Sequence, residues 1–276
     1  MSPGNITIYI ILGRSRIVSF EIMPLTVKYN ILEESKFEYP FRIFLSGSSQ
    51  SGKTYFAREL LENNGIFQNS IKSVRYCHPD YLDELPVNWH ESLEVPVSYQ
   101  SGIPTLEELC QLEPHTCLVI DDLYEEAIVS KSIDFLFRIL SGKKKLSVII
   151  MSQRYFAQGR YGRNIRNNCN FTVMMRNSDG NVNTRIAANL DVTTAKNKAI
   201  EDTYANNYYP YIFVDSSPRG QVSNYRLYTN IFGKYQEVYD RRGLKSYVIT
   251  ERDFLQKFAI LTNSTAVVNV DDEERH

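Results

Sequence analysis

The sequence lacks any apolar run that approaches the roughly 18 residues needed to cross a bilayer, so a membrane-spanning helix is not expected. Cysteine is sparse. Cys77, Cys110, Cys117 and Cys169 form no C-x-x-C pair, which argues against a zinc site or a disulfide framework and for reduced core thiols in a cytosolic or nuclear protein. Acidic residues are missing from the whole of residues 135–178, where Arg138, Lys143, Lys144, Lys145, Arg154, Arg160, Arg163, Arg166 and Arg176 all fall. Such a stretch can face a polyanion, present a solvated face, or lend arginines to a nucleotide site. Internal repeats and nuclease motifs are also missing. The formal net charge of -1 hides this asymmetry.

What is present is an ordinary globular composition, 43% hydrophobic and 23% charged over 276 residues. That is room for one large α/β domain with extensions, or for two small domains. Residues 47–54 read GSSQSGKT, a full match to the G-x-x-x-x-G-K-[ST] phosphate-binding loop. An apolar run at 43–45 precedes it as a buried strand would, and helix formers at 56–61 follow. Strand, loop and helix in that order aim backbone N–H groups and a positive helix end at a triphosphate. Gly47 and Gly52 allow the turn, Ser48, Ser49, Gln50 and Ser51 line it, Lys53 reaches the β- and γ-phosphates, and Thr54 can ligate Mg²⁺.

Residues 117–122, CLVIDD, form the second informative stretch. Four apolar residues ending in two acids predict a buried parallel strand that carries carboxylates to the sheet's C-terminal edge. On this reading Asp121 holds Mg²⁺ and Asp122 orients and polarises the attacking water, with Glu125 and Glu126 nearby as spare bases or parts of a solvated helix. Another apolar strand, 146–151, ends in Ser152 and Gln153, and the Gln153 amide is suitably placed to sense the γ-phosphate. The following loop, 153–168, carries four arginines, any of which can offer bidentate donors to a neighbouring subunit's γ-phosphate.

The rest of the chain reads more coarsely. Residues 6–12 look like an extra strand or arm rather than a signal peptide, since Arg14 and Arg16 follow the apolar run instead of preceding it, and Met23 is an alternative start. A helix stop is expected at Asn63-Asn64-Gly65, a short strand at 73–77, and a loop-rich aromatic insertion at 78–104. Thr105 predicts an N-cap for a helix over 105–112. An amphipathic helix is expected over 132–140 with Phe135, Leu136 and Ile139 inward, then a turn at 141–145. Strands at 171–175, 208–214 and 224–228, with helix over 184–205, would complete a sheet of seven or eight strands. A short helix at 252–261 and a disordered acidic end at 271–276 close the chain. The organisation is an N-terminal extension at 1–36, a P-loop domain at 37–232 and a C-terminal extension at 233–276.

Four segments taken together resemble a known family: PFRIFLSGSSQSGKTYFARELL, VIDDLYEE, LSVIIMSQRYFAQGRYGRNIRNN and YRLYTNIF. In this order they are similar to the viral genome-packaging ATPases of the FtsK/HerA superfamily, related to poxvirus-type packaging ATPases. The nearest branch is that of adenovirus-like and virophage-like elements and of Polinton or Maverick transposons, and the resemblance covers residues 39–232. It implies an α/β fold, a RecA-like P-loop NTPase of the additional-strand class, with a mostly parallel central sheet flanked by helices. It implies ATP and Mg²⁺ as cofactors, a homo-oligomeric ring, double-stranded DNA as cargo and capsid proteins as partners. Location would follow the capsid, in the host nucleus or a cytoplasmic virus factory, or with the virion. The family pattern G-[KR]-Y-x-R-x-I-x-x-N falls on residues 159–168 and makes Arg163 the first choice for the trans-acting arginine and Arg166 the second. Many members of the wider superfamily carry Glu where this chain has Asp122. Two other readings share the phosphate loop: a P-loop ATPase or helicase with no capsid, and a silent nucleotide- or DNA-binding relic.

Overall fold

The computed structural model describes residues 36–80, 88–203, 208–218, 225–233 and 235–249, with the backbone of three short strands nearer the N-terminus. Its strands are β1 (Ile6–Leu12), β2 (Arg16–Ile22), β3 (Asn30–Leu32), β4 (Arg42–Ser46), β5 (Ser73–His78), β6 (Val97–Ser101) and β7 (Thr116–Asp121). They continue as β8 (Ser147–Ser152), β9 (Phe171–Met175), β10 (Tyr211–Asp215), β11 (Tyr225–Thr229), β12 (Tyr235–Asp240) and β13 (Lys245–Ile249). All thirteen join one sheet in the order β2-β1-β3-β13-β12-β11-β10-β9-β4-β8-β7-β5-β6. From β9 to β6 every pairing is parallel. From β9 through β10, β11 and β12 to β13 the strands run as an antiparallel meander. The chain is thus an α/β fold whose large, mostly parallel sheet is flanked by helices, with β8 standing between the phosphate-loop strand β4 and the acid-tipped strand β7.

The inner parallel strands β4, β7, β8 and β9 are buried on both faces, because crossover helices must return along the sheet's surfaces. Every residue of β8 and β9 is buried. Successive side chains point to opposite faces. Accordingly Ile43 and Leu45 join one core with Phe56, Ala57, Leu60 and Leu61 of α1 (Lys53–Glu62), while Phe44 joins the other. The first core also takes in Trp89 of α2 (Trp89–Ser92), whereas the second lies on the other face. It is built chiefly from α3 (Leu106–Gln111), α4 (Tyr124–Ala127), α5 (Lys131–Phe135), α7 (Gly162–Asn167), α8 (Gly180–Asn189) and α9 (Thr193–Thr203), with α6 (Ser141–Lys144) extending α5. At the seam between the parallel block and the meander, Phe37 packs on Phe171, Phe213 and Tyr228 with ring centroids 5.5, 5.0 and 5.2 Å away.

Several expectations need correction. The sheet has thirteen strands rather than seven or eight, and it continues past residue 232 through β12 and β13. The insertion at 78–104 contains β6, an edge strand whose half-exposed residues hide the apolar alternation that would have revealed it. The helix beginning at Lys131 passes through a π-turn at Leu136–Leu140. One extra residue in that turn rotates the inward face. Leu136, Phe137 and Leu140 are therefore buried, while Phe135 and Ile139 are half-buried. Residues 141–144 are the last helical turn, and only Lys145, at φ 56°, leaves it. β10 starts at Tyr211 because Pro210 has no N–H for the ladder. Thr105 caps α3 through a capping box with Glu108. Cys110 is exposed, whereas Cys77, Cys117 and Cys169 are buried thiols whose pKa burial pushes up. The expected helix at 252–261 and the acidic end lie outside the described residues. Among the described residues no helix is long and apolar enough to cross a membrane.

Candidate nucleotide-binding site

The loop between β4 and α1 is tied to the strands on both sides of β4. The Gly47 N–H donates to the Ser152 carbonyl at the end of β8, 3.2 Å away. On the other side the Ser48 N–H and hydroxyl both donate to the Arg176 carbonyl just past β9, each at 3.1 Å. Two backbone conformations demand particular residues. Gly52 has φ +93°, and any Cβ there would lie 2.7 Å from the Tyr209 ring. A Cβ on Gly47 would lie 2.9 Å from the Met175 Cβ. Both positions need glycine.

α1 begins at this loop without help from side chains. No side chain caps it, and its first turn carries no acid. The first N–H groups of a helix have no partner within the helix, and the dipole's positive end lies there. An anion is the natural partner. Lys53 Nζ meanwhile donates to the Gly47 and Ser48 carbonyls at 2.9 and 2.8 Å, folded over the loop it belongs to. Burial lowers its pKa, opposed by the nearby Asp121 and Asp122 carboxylates. Ser51 Oγ is buried without a hydrogen-bond partner among the described residues.

Asp121 ends β7 at the same edge, where its carboxylate accepts a hydrogen bond from the Tyr76 hydroxyl and lies near the Thr54 hydroxyl. Burial raises its pKa and Asp122 adds to the rise, while the two hydroxyls and Lys53 oppose it. Asp122 is exposed, in the left-handed region at φ 54°, a conformation aspartate tolerates better than most residues. Thr54 and Asp121 together make a hard-oxygen donor pair suited to Mg²⁺, which binds through few protein ligands plus substrate phosphates. Among the described residues there is no cluster of three or more His, Cys, Asp or Glu side chains, the signature of a metal caged by protein alone.

Gln153 is exposed immediately after the β8 residue that receives the Gly47 N–H, so its amide stands at the loop's flank. Arg163 lies on α7, exposed, with no hydrogen bond or ion pair among the described residues. Arg166, on the same helix, is engaged within the chain. Its Nη1 donates to the Tyr124 hydroxyl at 3.1 Å and the Tyr155 carbonyl at 3.0 Å, and its guanidinium lies over the Tyr155 and Phe156 rings. Arg154 makes an exposed ion pair with Glu125 at 3.6 Å, and Arg160 lies over Tyr161. Glu126 is lifted in pKa by burial, then by Asp80 and Asp122.

Sequence reasoning passed over Tyr76. It pairs with Val119 in the β5–β7 register, placing it two residues short of Asp121 on the same face. Trp89 and Tyr99, from the insertion, pack against its ring at 4.9 and 6.0 Å. A tyrosine in an apolar strand reads as core; only the strand order, which puts β5 beside β7, shows what its hydroxyl meets.

No protein-family model matches the chain, and no curated protein sequence does. Solved structures similar to it include the genome packaging NTPase B204 of Sulfolobus turreted icosahedral virus 2. Its complex with AMP is 16% identical at a TM-score of 0.42, covering 64% of this chain and 92% of that one. Its complex with ATP-gammaS is 13% identical at a TM-score of 0.37, covering 75% and 95%. The Legionella pneumophila ATPase DotB is 10% identical at a TM-score of 0.30, covering 62% of this chain and 57% of that one.

Proposed function

We propose that this chain is an ATP-hydrolysing motor that moves double-stranded DNA and packages a viral or transposon genome into a capsid. The observation that carries the ATPase reading is the meeting, at one sheet edge, of an uncapped helix start, Lys53, Thr54 and Asp121. The packaging step rests on the order of the four segments that resemble the packaging family, ending in the arginine-bearing stretch at 153–168.

The loop amides and the start of α1 hold the phosphates, and Lys53 exchanges its two loop carbonyls for phosphate oxygens. Thr54 and Asp121 would hold Mg²⁺, which would supply positive charge to offset that of the phosphates. Tyr76 keeps the Asp121 carboxylate aimed at that position. Asp122 hydrogen-bonds the attacking water and polarises it, with Gln153 orienting the same water or the γ-phosphate. Arg163, free on the outside of α7, is the group available to a neighbouring subunit's site in a ring, whereas Arg166 is occupied inside its own chain. Arginine suits the role because its fork donates two bonds to one phosphoryl group. Basic residues of 135–178 would grip the DNA backbone, a sequence-independent contact.

The test is ATP turnover by purified protein with and without linear double-stranded DNA, at low and high salt. The proposal expects stimulation by the duplex that salt removes, and less by single strands. Nucleotide binding without hydrolysis, in assembled protein with DNA present, would leave only a binding module.

A further inference from the structure

Three tyrosines stand in solvent beside the phosphate loop without a part in the steps above. Tyr55 is 48% exposed, Tyr208 87% and Tyr209 38%, unusual for side chains of this size. They are grouped. The Tyr55 and Tyr209 rings lie 5.6 Å apart, tilted by 36°, and Tyr208 meets Tyr209 edge-on at 4.7 Å. They also touch the loop, since Tyr55 follows Thr54 directly and the Tyr209 ring occupies the space a side chain on Gly52 would need.

Their flank of the loop is the informative point. Asp121, Tyr76 and Gln153 reach the loop from β7, β5 and β8, on one side of β4. Tyr209 reaches it from the other side, just ahead of β10, whose Tyr211 pairs with Met175 at the end of β9. A nucleotide held by the loop amides with its γ-phosphate toward Asp121 must send its base the opposite way. We propose that Tyr55, Tyr208 and Tyr209 form the stacking platform for the purine base of the nucleotide bound at this loop. The inference rests on the nucleotide-binding reading and adds the place and class of the base. Double-stranded DNA keeps its bases stacked inside the duplex and does not offer them to such a platform. Stacking on aromatic faces discriminates by ring area rather than by hydrogen-bond pattern. ATP and GTP are therefore favoured together over CTP and UTP.

The experiment measures dissociation constants for ATP, CTP and inorganic tripolyphosphate, with magnesium, by calorimetry. The proteins are the wild type, Tyr209→Ala, Tyr209→Phe, Tyr55→Ala and Lys53→Ala. Loss of one stacking ring weakens ATP about tenfold in Tyr209→Ala, in line with base–aromatic stacking elsewhere. Tripolyphosphate binding stays at the wild-type value in that variant, and Tyr209→Phe restores ATP. Tyr55→Ala, on an exposed helix position, repeats the pattern more weakly and without risk to folding. Lys53→Ala weakens all three ligands alike. If Tyr209→Ala and Tyr55→Ala leave ATP unchanged, or weaken ATP and tripolyphosphate by one factor, the platform is overturned while the nucleotide-binding reading stands. A wild type that binds neither ATP nor tripolyphosphate overturns both.

Discussion

The two halves of the sheet do different work. In the parallel block, β4, β5, β7 and β8 all end at one edge, so Gly47, Tyr76, Asp121 and Gln153 arrive together. The antiparallel meander sends alternate strand ends to opposite edges and cannot collect side chains this way. It contributes through the start of β10, which antiparallel pairing brings beside the end of β9 and hence to the loop. Parallel pairing concentrates chemistry, and antiparallel pairing extends and closes the core. Substitutions at the parallel edge should therefore remove turnover and spare the fold, and substitutions along the seam and meander should do the reverse.

The largest effect is expected at the edge itself. Lys53→Ala and Asp121→Asn should each lower ATP turnover by about 10³-fold or more, since the first removes the cation facing the phosphates and the second a ligand that would hold Mg²⁺ there. Asp121→Asn also sharpens the comparison through pH. The carboxyl's folded pKa is raised, so its ionisation opposes folding, and stability present below the ordinary carboxylate range is lost as pH climbs through the raised value. The Asn variant should show a flatter Tm over that window than the wild type, by thermal unfolding at several pH values. Equal slopes would place the carboxylate in a less buried setting.

Arg163→Ala should cost about 10³-fold in turnover with ATP binding and Tm unchanged. Arg166→Ala should instead lower Tm, because it removes the guanidinium that donates to both the Tyr124 hydroxyl and the Tyr155 carbonyl. If the two variants exchange these behaviours, the assignment of roles on α7 is reversed. At the seam, Phe213→Ala should destabilise by about 3–5 kcal/mol, read from denaturant unfolding, with nucleotide affinity of the folded fraction retained.

Smaller effects follow. Tyr76→Phe keeps the ring packed on Trp89 but removes a donor that holds the Asp121 pKa down. The acid limb of the pH–rate profile should move to higher pH, with little change in Tm. Thr105→Ala should cost about 1 kcal/mol through loss of the α3 cap and leave turnover as it was.

The legible parts of this fold were those whose local chemistry determines their shape. The strand, loop and helix at 42–62 could be read because an apolar run, two glycines of special backbone need and a helix-former run succeed one another. Apolar runs likewise marked β7, β8 and β9, since buried parallel strands have no polar face to confuse the pattern. β6 stayed hidden because an edge strand is half exposed and proline-flanked, and the π-turn because one added residue leaves no mark in composition. At the site, the order of residues along the chain placed Lys53, Thr54 and Asp121. It could not place Tyr76 beside Asp121 or Tyr209 beside Gly52, because both neighbourhoods depend on which strands are adjacent. Nor could it separate Arg163 from Arg166, which differ in what surrounds them rather than in spacing.

The central claim is that one chain's site is completed by the next chain's arginine in a DNA-driven ring, and mixing two inactive variants tests it most directly. Lys53→Ala keeps Arg163 but cannot turn over its own nucleotide, and Arg163→Ala keeps the phosphate loop but lacks the arginine to offer. Turnover is measured for each alone and for an equimolar mixture, with linear double-stranded DNA. The account predicts that both are inactive alone and that the mixture recovers DNA-dependent hydrolysis. A mixture no more active than either variant, with both proteins folded and assembled, would contradict it.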